Sequence, residues 1–474
     1  MSIDAPFATV PAAPRRAVLV CLSLAVLLPS MAASSANVAL PTLSAVFDTN
    51  FQAVQWVVLA YLLAMTTLIV SVGRLGDLLG PRRLLLAGIG VFTVCSALCG
   101  LAPSLPLLVA ARFGQGLGAA AMMALTMALV SQAVPKERTG RAMGLLATMS
   151  AVGTALGPSL GGALIALFDW RYLFLINVPL GIATYLLARA SLPHDVPRQS
   201  GATARFDGVG TVLLAGTLLA YTLAVTLGRG HAGPINAALL AASAAGAALF
   251  VYSQQRVAYP LISLSLFRDA RFSTSLATST MVSTVMMTTM VVGPFYLARS
   301  CALSPAMVGL AMSCGPIAAA LAGVPAGRLA DRFGTQRMVN MALLLIAGGA
   351  AQLALLPANL GVAGYAGSLV VMTIGFALFQ TANNTSVLAH APATRKGAMS
   401  GLLNLSRHLG FVTGASVMGA VFAFGANSAN PATAAPESVA AGIRLTFGLA
   451  CICMLCSLLL NRAPGKGEPS SCAQ

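Results

Sequence analysis

The sequence predicts an all-α membrane protein of 14 transmembrane helices in a 6+2+6 order. Three observations lead there. First, 58% of the 474 residues are hydrophobic and only 8% are charged, against about 25% charged in soluble domains. The apolar runs are about 20 residues long, enough to cross a hydrocarbon core roughly 30 Å thick. They lack the alternation over about 10 positions that marks barrel strands. Second, a polar island at Gly73-Arg74-Leu75-Gly76-Asp77-Leu78-Leu79-Gly80-Pro81-Arg82-Arg83 returns 254 residues later at Gly327-Arg328-Leu329-Ala330-Asp331-Arg332-Phe333-Gly334-Thr335-Gln336-Arg337, with six of 11 positions identical. Such an echo marks two related halves. Third, Lys and Arg fall on one side of the predicted spans. With the N-terminus inside, 21 lie in cytoplasmic segments, three in outer loops (Arg171, Arg229, Arg299) and three within spans (Arg112, Arg407, Arg444). That asymmetry predicts both termini inside, in a cytoplasmic (inner) membrane.

The spans are expected at about 17–40, 52–72, 84–103, 106–133, 143–167, 171–191, 208–228, 235–255, 272–298, 306–326, 337–357, 362–385, 400–425 and 440–461, with ends good to about 2–4 residues. The first run follows Arg15 and Arg16 and is about 24 residues long. That is longer than a signal h-region, so it is read as a retained span. The polar islands follow spans 2 and 10. Each is the second span of a six-helix half, so spans 7 and 8 are an inserted pair. The organisation becomes a cytoplasmic arm (1–16), an N-terminal bundle (17–192), a linker (193–207), two inserted helices (208–256), a C-terminal bundle (257–461) and a cytoplasmic tail (462–474). Arm and tail carry the composition of disordered termini.

The net charge of +16 is read as cytoplasmic-loop Lys and Arg, not as a nucleic-acid surface. The nine Cys have no ligand spacing and behave as small hydrophobes in apolar runs. No metal, cofactor or enzyme chemistry is expected: the spans hold no His/Asp/Glu cluster, no phosphate-cradling Gly-Lys-Ser/Thr loop and no His-Glu-x-x-His.

Within the islands, Gly80 and Gly334 permit a tight reversal. Asp77 and Asp331 suit the positive end of a helix, while Arg82, Arg83 and Arg337 face headgroups. In span 5, Gly153, Gly157 and Gly161 recur every four residues, a smooth stripe along which another helix can approach closely, and Pro158 favours a kink. Arg112 lies six residues beyond Pro106, about 9 Å into the span at 1.5 Å per residue. An arginine at that depth is functional by default and faces the interior with a partner. All 11 acids lie in loops, tails or span ends, so no carboxylate stands at mid-membrane to pair with it. An electropositive cavity favouring anionic or neutral amphiphiles follows. Ser34, Ser35, Asn37, Gln115, Gln380, Asn383, Asn384 and Asn404 supply further polar lining, or bonds between helices. Arg407 is a candidate for proton movement, or simply reaches the headgroups. His408 beside it can carry a proton near neutral pH. Met286, Met287 and Met290 offer a soft wall or lipid-facing filler.

Taken in order, these stretches resemble the major facilitator superfamily, specifically its 14-span drug:proton antiporters. The likeness is carried by Asn37-Val38-Ala39-Leu40-Pro41, Gln55-Trp56, Tyr61, both islands, Arg112-Phe113-Gly114-Gln115-Gly116, Gly157-Pro158-Ser159-Leu160-Gly161-Gly162, Trp170-Arg171-Tyr172-Leu173-Phe174-Leu175-Ile176-Asn177-Val178-Pro179 and Pro260-Leu261-Ile262. The resemblance implies the major facilitator fold and export of small amphiphiles, coupled to proton influx. It makes the islands a conformational latch (Gly73, Asp77, Gly80, Arg83; Gly327, Asp331, Gly334, Arg337) and Gly153, Gly157, Pro158, Gly161 and Gly162 an exporter motif. It adds Trp56 and Tyr61 to the cavity and ties Arg112 to proton movement. Two departures stand out. Leu78 replaces the basic residue usual after the first Asp, and Ala32 occupies the position where the family commonly has an Asp. The second departure favours an alternative, a facilitator or transporter of an anionic or neutral metabolite without proton coupling. The expected partners are a small-molecule substrate, the proton and the lipid bilayer, with no nucleic acid, and the chain is expected to be a monomer.

Overall fold

A computed structural model describes residues 15–133, 136–192, 207–227, 233–257, 261–262, 264–355, 360–389, 396–428 and 434–462. The N-terminal arm, most of the 193–207 linker and the tail lie outside them, and with them the expectation of disorder. The described residues are helical almost throughout: α1 Arg15–Val46, α2 Phe51–Leu79, α3 Pro81–Gly100, α4 Leu105–Ala133, α5 Lys136–Leu167, α6 Tyr172–Leu175, α7 Asn177–Ser191, α8 Gly208–Thr226, α9 Pro234–Arg256, α10 Ala270–Arg299, α11 Pro305–Phe333, α12 Thr335–Ala354, α13 Gly361–Ala389, α14 Lys396–Thr413, α15 Gly419–Gly425 and α16 Pro436–Arg462. Fourteen spans are long and apolar enough to cross a membrane. The sixth is split into α6 and α7 at Ile176. The thirteenth runs from α14 to α15 through a π-helical turn, Gly414–Met418.

The repeat islands differ from expectation in one respect. They are the last turns of α2 and α11, with the reversal confined to Gly80 and Gly334. These glycines share one left-handed conformation, φ 91° and φ 83°, and each donates its N–H four residues back, to the carbonyls of Gly76 and Ala330. A helix continues past the hydrocarbon wherever water and headgroups can solvate its polar face. Only the residue able to adopt positive φ stops it.

Small residues set the packing. The Gly153 backbone faces the Leu27 carbonyl, Gly157 faces Met31 and Ser34, and Gly161 faces Ser35, so α5 and α1 run parallel. A Cβ at Gly153 would meet the Leu27 oxygen at 2.5 Å. In contrast, α11 runs antiparallel to α5. Ser313 donates to the Ala155 carbonyl at 3.2 Å, Gly309 abuts Pro158, and Gly162 abuts Pro305. Tyr61 reaches Pro29 while Arg112 joins Val57 to Ala32, so α1, and with it α5, runs antiparallel to α2. Antiparallel to α5, α11 is then parallel to α2 and brings both islands to the same end of the bundle, the loop end. Through Pro158, α5 is unbroken. Met286 and Met287 are buried, and Met287 packs at Gly414, which rules out lipid-facing filler for these two.

The inserted pair is not merely peripheral. Ser71 of α2 and Thr211 of α8 are joined by a 2.8 Å hydroxyl bond, and Tyr221 of α8 donates to Thr413 of α14 at 3.3 Å. Asp207 caps α8 through the Gly210 N–H at 2.7 Å and accepts from Gln254 of α9 at 2.7 Å. It is buried.

Candidate functional site: a far-end seal and two arginines

Both halves meet at the end remote from the islands. There the Gln55 amide donates to the Ala415 carbonyl at 2.6 Å. Ala415 lies in the π turn, where an i→i+5 pattern disturbs the regular ladder and releases carbonyls for other partners. Gly419 leaves room for the Gln55 side chain, which a Cβ there would strike. Beside them Phe51 stacks edge-on with Phe295 at 4.9 Å and with Phe422 at 5.6 Å, so α2, α10 and α15 share one aromatic plug. The Gly162–Pro305 and Gly309–Pro158 contacts close the α5–α11 side. Gly162 is therefore part of the contact between halves, whereas Gly153, Gly157 and Gly161 bind α5 to α1 inside the first half. Gln55, Gly309, Ser313 and the π turn were not expected as functional. Gln55 stood in a matching stretch, but no local pattern announces that its partner lies 360 residues away.

Arg112 is fully buried. Its Nε donates to the Val57 carbonyl at 2.9 Å, and its Nη1 to Gln115 Oε1 at 2.5 Å and to the Ala32 carbonyl at 3.4 Å. The guanidinium lies 4.3 Å from the Tyr61 ring centroid and 5.8 Å from that of Phe174. Gln115 passes the network on to Ser96 at 2.7 Å, and Tyr61 donates to the Pro29 carbonyl at 2.9 Å. Thus Arg112, Tyr61 and Gln115 tie α1, α2, α3 and α4 together inside the N-terminal half. Carbonyl dipoles and ring faces stand in for a carboxylate. Ala32 contributes its backbone oxygen.

The remaining sequence-derived residues are spread over both halves. Ser34 and Asn37 bond back to their own helix, to the carbonyls of Ser30 and Ala33 at 3.0 Å each. Together with Ser35 they face α5 or the bundle interior. Trp56 is half-buried near the seal. Asn383 accepts from Ser275 of α10 at 2.6 Å, and Gln380 and Asn384 are half-buried on α13. Asn404 accepts from Arg407 Nη2 at 3.0 Å on α14, and His408 is buried beside them. Arg407 thus points into protein, not to the headgroups. In the islands, Arg83 and Arg337 are exposed, and Arg82 donates to the Arg189 carbonyl at 2.7 Å. The surroundings of Gly73, Asp77 and Asp331 fall outside the described residues. No grouping of three or more His, Cys, Asp or Glu suited to a metal occurs among the described residues.

The model of the Major Facilitator Superfamily matches residues 22–415 and 274–471. This chain belongs to that superfamily. It is 35% identical over 384 residues to the uncharacterized transporter YebQ of Escherichia coli strain K12, covering 81% of this chain and 84% of YebQ. It is 33% identical over 440 residues to the multidrug efflux pump LfrA of Mycolicibacterium smegmatis, covering 92% of this chain and 86% of LfrA. Among solved structures, a bacterial homologue of the human lysosomal transporter Spinster, described as inward-facing and unoccupied, superposes with a TM-score of 0.69 at 16% identity. That comparison covers 94% of this chain and 96% of the other. The superfamily member described here is therefore a multi-pass membrane transporter with the major facilitator fold.

Proposed function

We propose that this protein is a secondary exporter of small amphiphilic, drug-like molecules. It works by alternating access in a cytoplasmic membrane, driven by proton influx, with the loop end and both termini in the cytoplasm. The observation that carries the reading is the far-end seal. A substrate route closed by Gln55, Phe51 and the Gly162–Gly309 contacts opens toward the loop end, the state in which an exporter loads from the cytoplasm. The halves then rock about the cavity between them, as in other transporters built from repeats. The likeness to LfrA, named a multidrug efflux pump, and the Gly/Pro-rich α5 support the outward direction.

One observation favours a second reading, transport without proton coupling. Arg112 is held by neutral partners alone, and intramembrane proton relays normally run through carboxylates or histidines. Reconstituted vesicles separate the two. An imposed pH gradient drives substrate uphill in an antiporter and leaves a facilitator at equilibrium. Accumulation that ignores the gradient would remove proton coupling and leave transport standing.

A further inference from the structure

We propose that the loop-end half of α14 carries an anion subsite, built on Arg407 with Asn404 and His408, that takes the carboxylate, sulfonate or phosphate head of an amphiphilic substrate; this rests on the transport reading above. Residues 404, 408, 411 and 415 recur at spacings of 4, 3 and 4 and so share one face of the helix. The end of that stripe is oriented by a contact: Ala415 meets Gln55 of the opposite half. Asn404 and His408 therefore face the opposite half too, two to three turns nearer the loop end, below the seal, where the cleft lies in the transport reading.

Arg407 stands next to this face. It is 11 residues beyond the start of α14 at Lys396, about 16 Å at 1.5 Å per residue. It is half-buried, and its one hydrogen bond goes to Asn404 Oδ1. Its Nε and the Nδ1 of His408 are buried without any partner. Among the described side chains no carboxylate forms an ion pair with Arg407. From α13, Gln380 Nε2 and Asn383 Nδ2 are also buried donors without acceptors. Thr280 of α10 donates to the Ser406 carbonyl at 3.1 Å, which fixes the depth of α14 against α10. Arg407 thus carries a positive charge with Asn404 Oδ1 as its one bonded acceptor, beside the unpartnered His408 Nδ1 and on a helix adjoining the unpartnered α13 amides. A desolvated guanidinium left unpaired is strongly unfavourable.

Arg112 has the same lack of an acid, and its Nη2 is likewise without a hydrogen-bond partner. But two carbonyls and Gln115 hold its Nε and Nη1, the Tyr61 ring covers it, and it is closed off completely. Arg407 has none of these and keeps a partly open surface. A ligand that brings two or more acceptor oxygens and a negative charge supplies what the site lacks, through charge-assisted bonds to the guanidinium fork and the Asn404 amide.

The test is calorimetric binding to the purified full chain in nanodiscs, using naphthoate and its uncharged methyl ester. Naphthoate is expected to bind more tightly than the ester. Arg407→Gln should weaken naphthoate about 10- to 100-fold, the size of one charge-assisted bond, and leave ester binding intact, which also shows that the variant is folded. Arg407→Lys should keep most of the preference for the acid. Arg444→Gln, removing an exposed arginine of α16, should change neither ligand. Equal binding of acid and ester by the unaltered protein, or no binding of the acid, overturns the subsite; so does equal weakening of both ligands in Arg407→Gln, or no change. Vesicle transport is scored separately: acid-selective binding with no export would sink the exporter reading and leave the subsite.

Discussion

A single buried guanidinium shows how a membrane interior treats charge. Arg112 has no counterion among its partners, so its stabilisation comes from carbonyls on α1 and α2, the Gln115 amide and the Tyr61 ring. Arg112→Ala would leave Gln115 Oε1 without its donor, at about 1–3 kcal/mol, and empty a fully buried site in the N-terminal half, while the Val57 and Ala32 oxygens keep their own helical N–H groups. The expected outcome is a lower melting temperature in detergent and less protein in the membrane. Arg112→Lys should recover only part of this, because an ammonium can neither fork between carbonyls nor lie flat on an aromatic ring. Full stability of Arg112→Ala would show that the network is ornamental.

Between helices, the smallest residues set the geometry. Gly162 and Gly309 bring α5 and α11 backbones together across the two halves, and Gly157 does the same for α5 and α1 within one half. Gly309→Val places methyl groups against the Pro158 carbonyl. It should loosen the far-end seal and raise the labelling of a cysteine introduced at Gln52, a buried neighbour of the plug, by an impermeant thiol reagent added outside. Gly157→Val meets Ser34 instead and should lower stability without opening the seal. If both variants behaved alike, the distinction between seal glycines and bundle glycines would fail. The π turn belongs to this scale as well. Gln55→Ala removes the bond to Ala415 and should shift the resting state toward the open far end, read by the same cysteine labelling.

For the molecule as a whole, α8 lies outside both halves and touches each of them. It reaches α2 through Thr211 and α14 through Tyr221, so rocking one half against the other must stretch at least one of these contacts. Paired cysteines at 71 and 211, or at 221 and 413, can be bridged by a bifunctional thiol reagent in a chain otherwise free of cysteine. Either bridge alone should leave substrate transport in vesicles largely intact, and both together should stop it. Unimpaired transport with both bridges formed would mean that the inserted pair moves freely with the rest.

How much was legible in the chain follows from the range of the forces involved. Span number, the duplicated islands and the sidedness of Lys and Arg are visible in sequence because hydrophobic length, local identity and charge are properties of contiguous residues. The positive-φ turns at Gly80 and Gly334 were readable for the same reason, since the demand for glycine is local. The partners of Arg112 were not readable: two are backbone oxygens, and a carbonyl leaves no mark in the sequence of the residue that bears it. Nor was the pairing of Gln55 with a π turn 360 residues away, or the inward aim of Arg407 at a depth where a headgroup contact was equally open. The sequence by itself determined how many helices there are, what ends them and which family they belong to. Tertiary packing alone decided which polar groups meet and which are left without partners, because in lipid a polar side chain can bond only to what the neighbouring helices place within its reach.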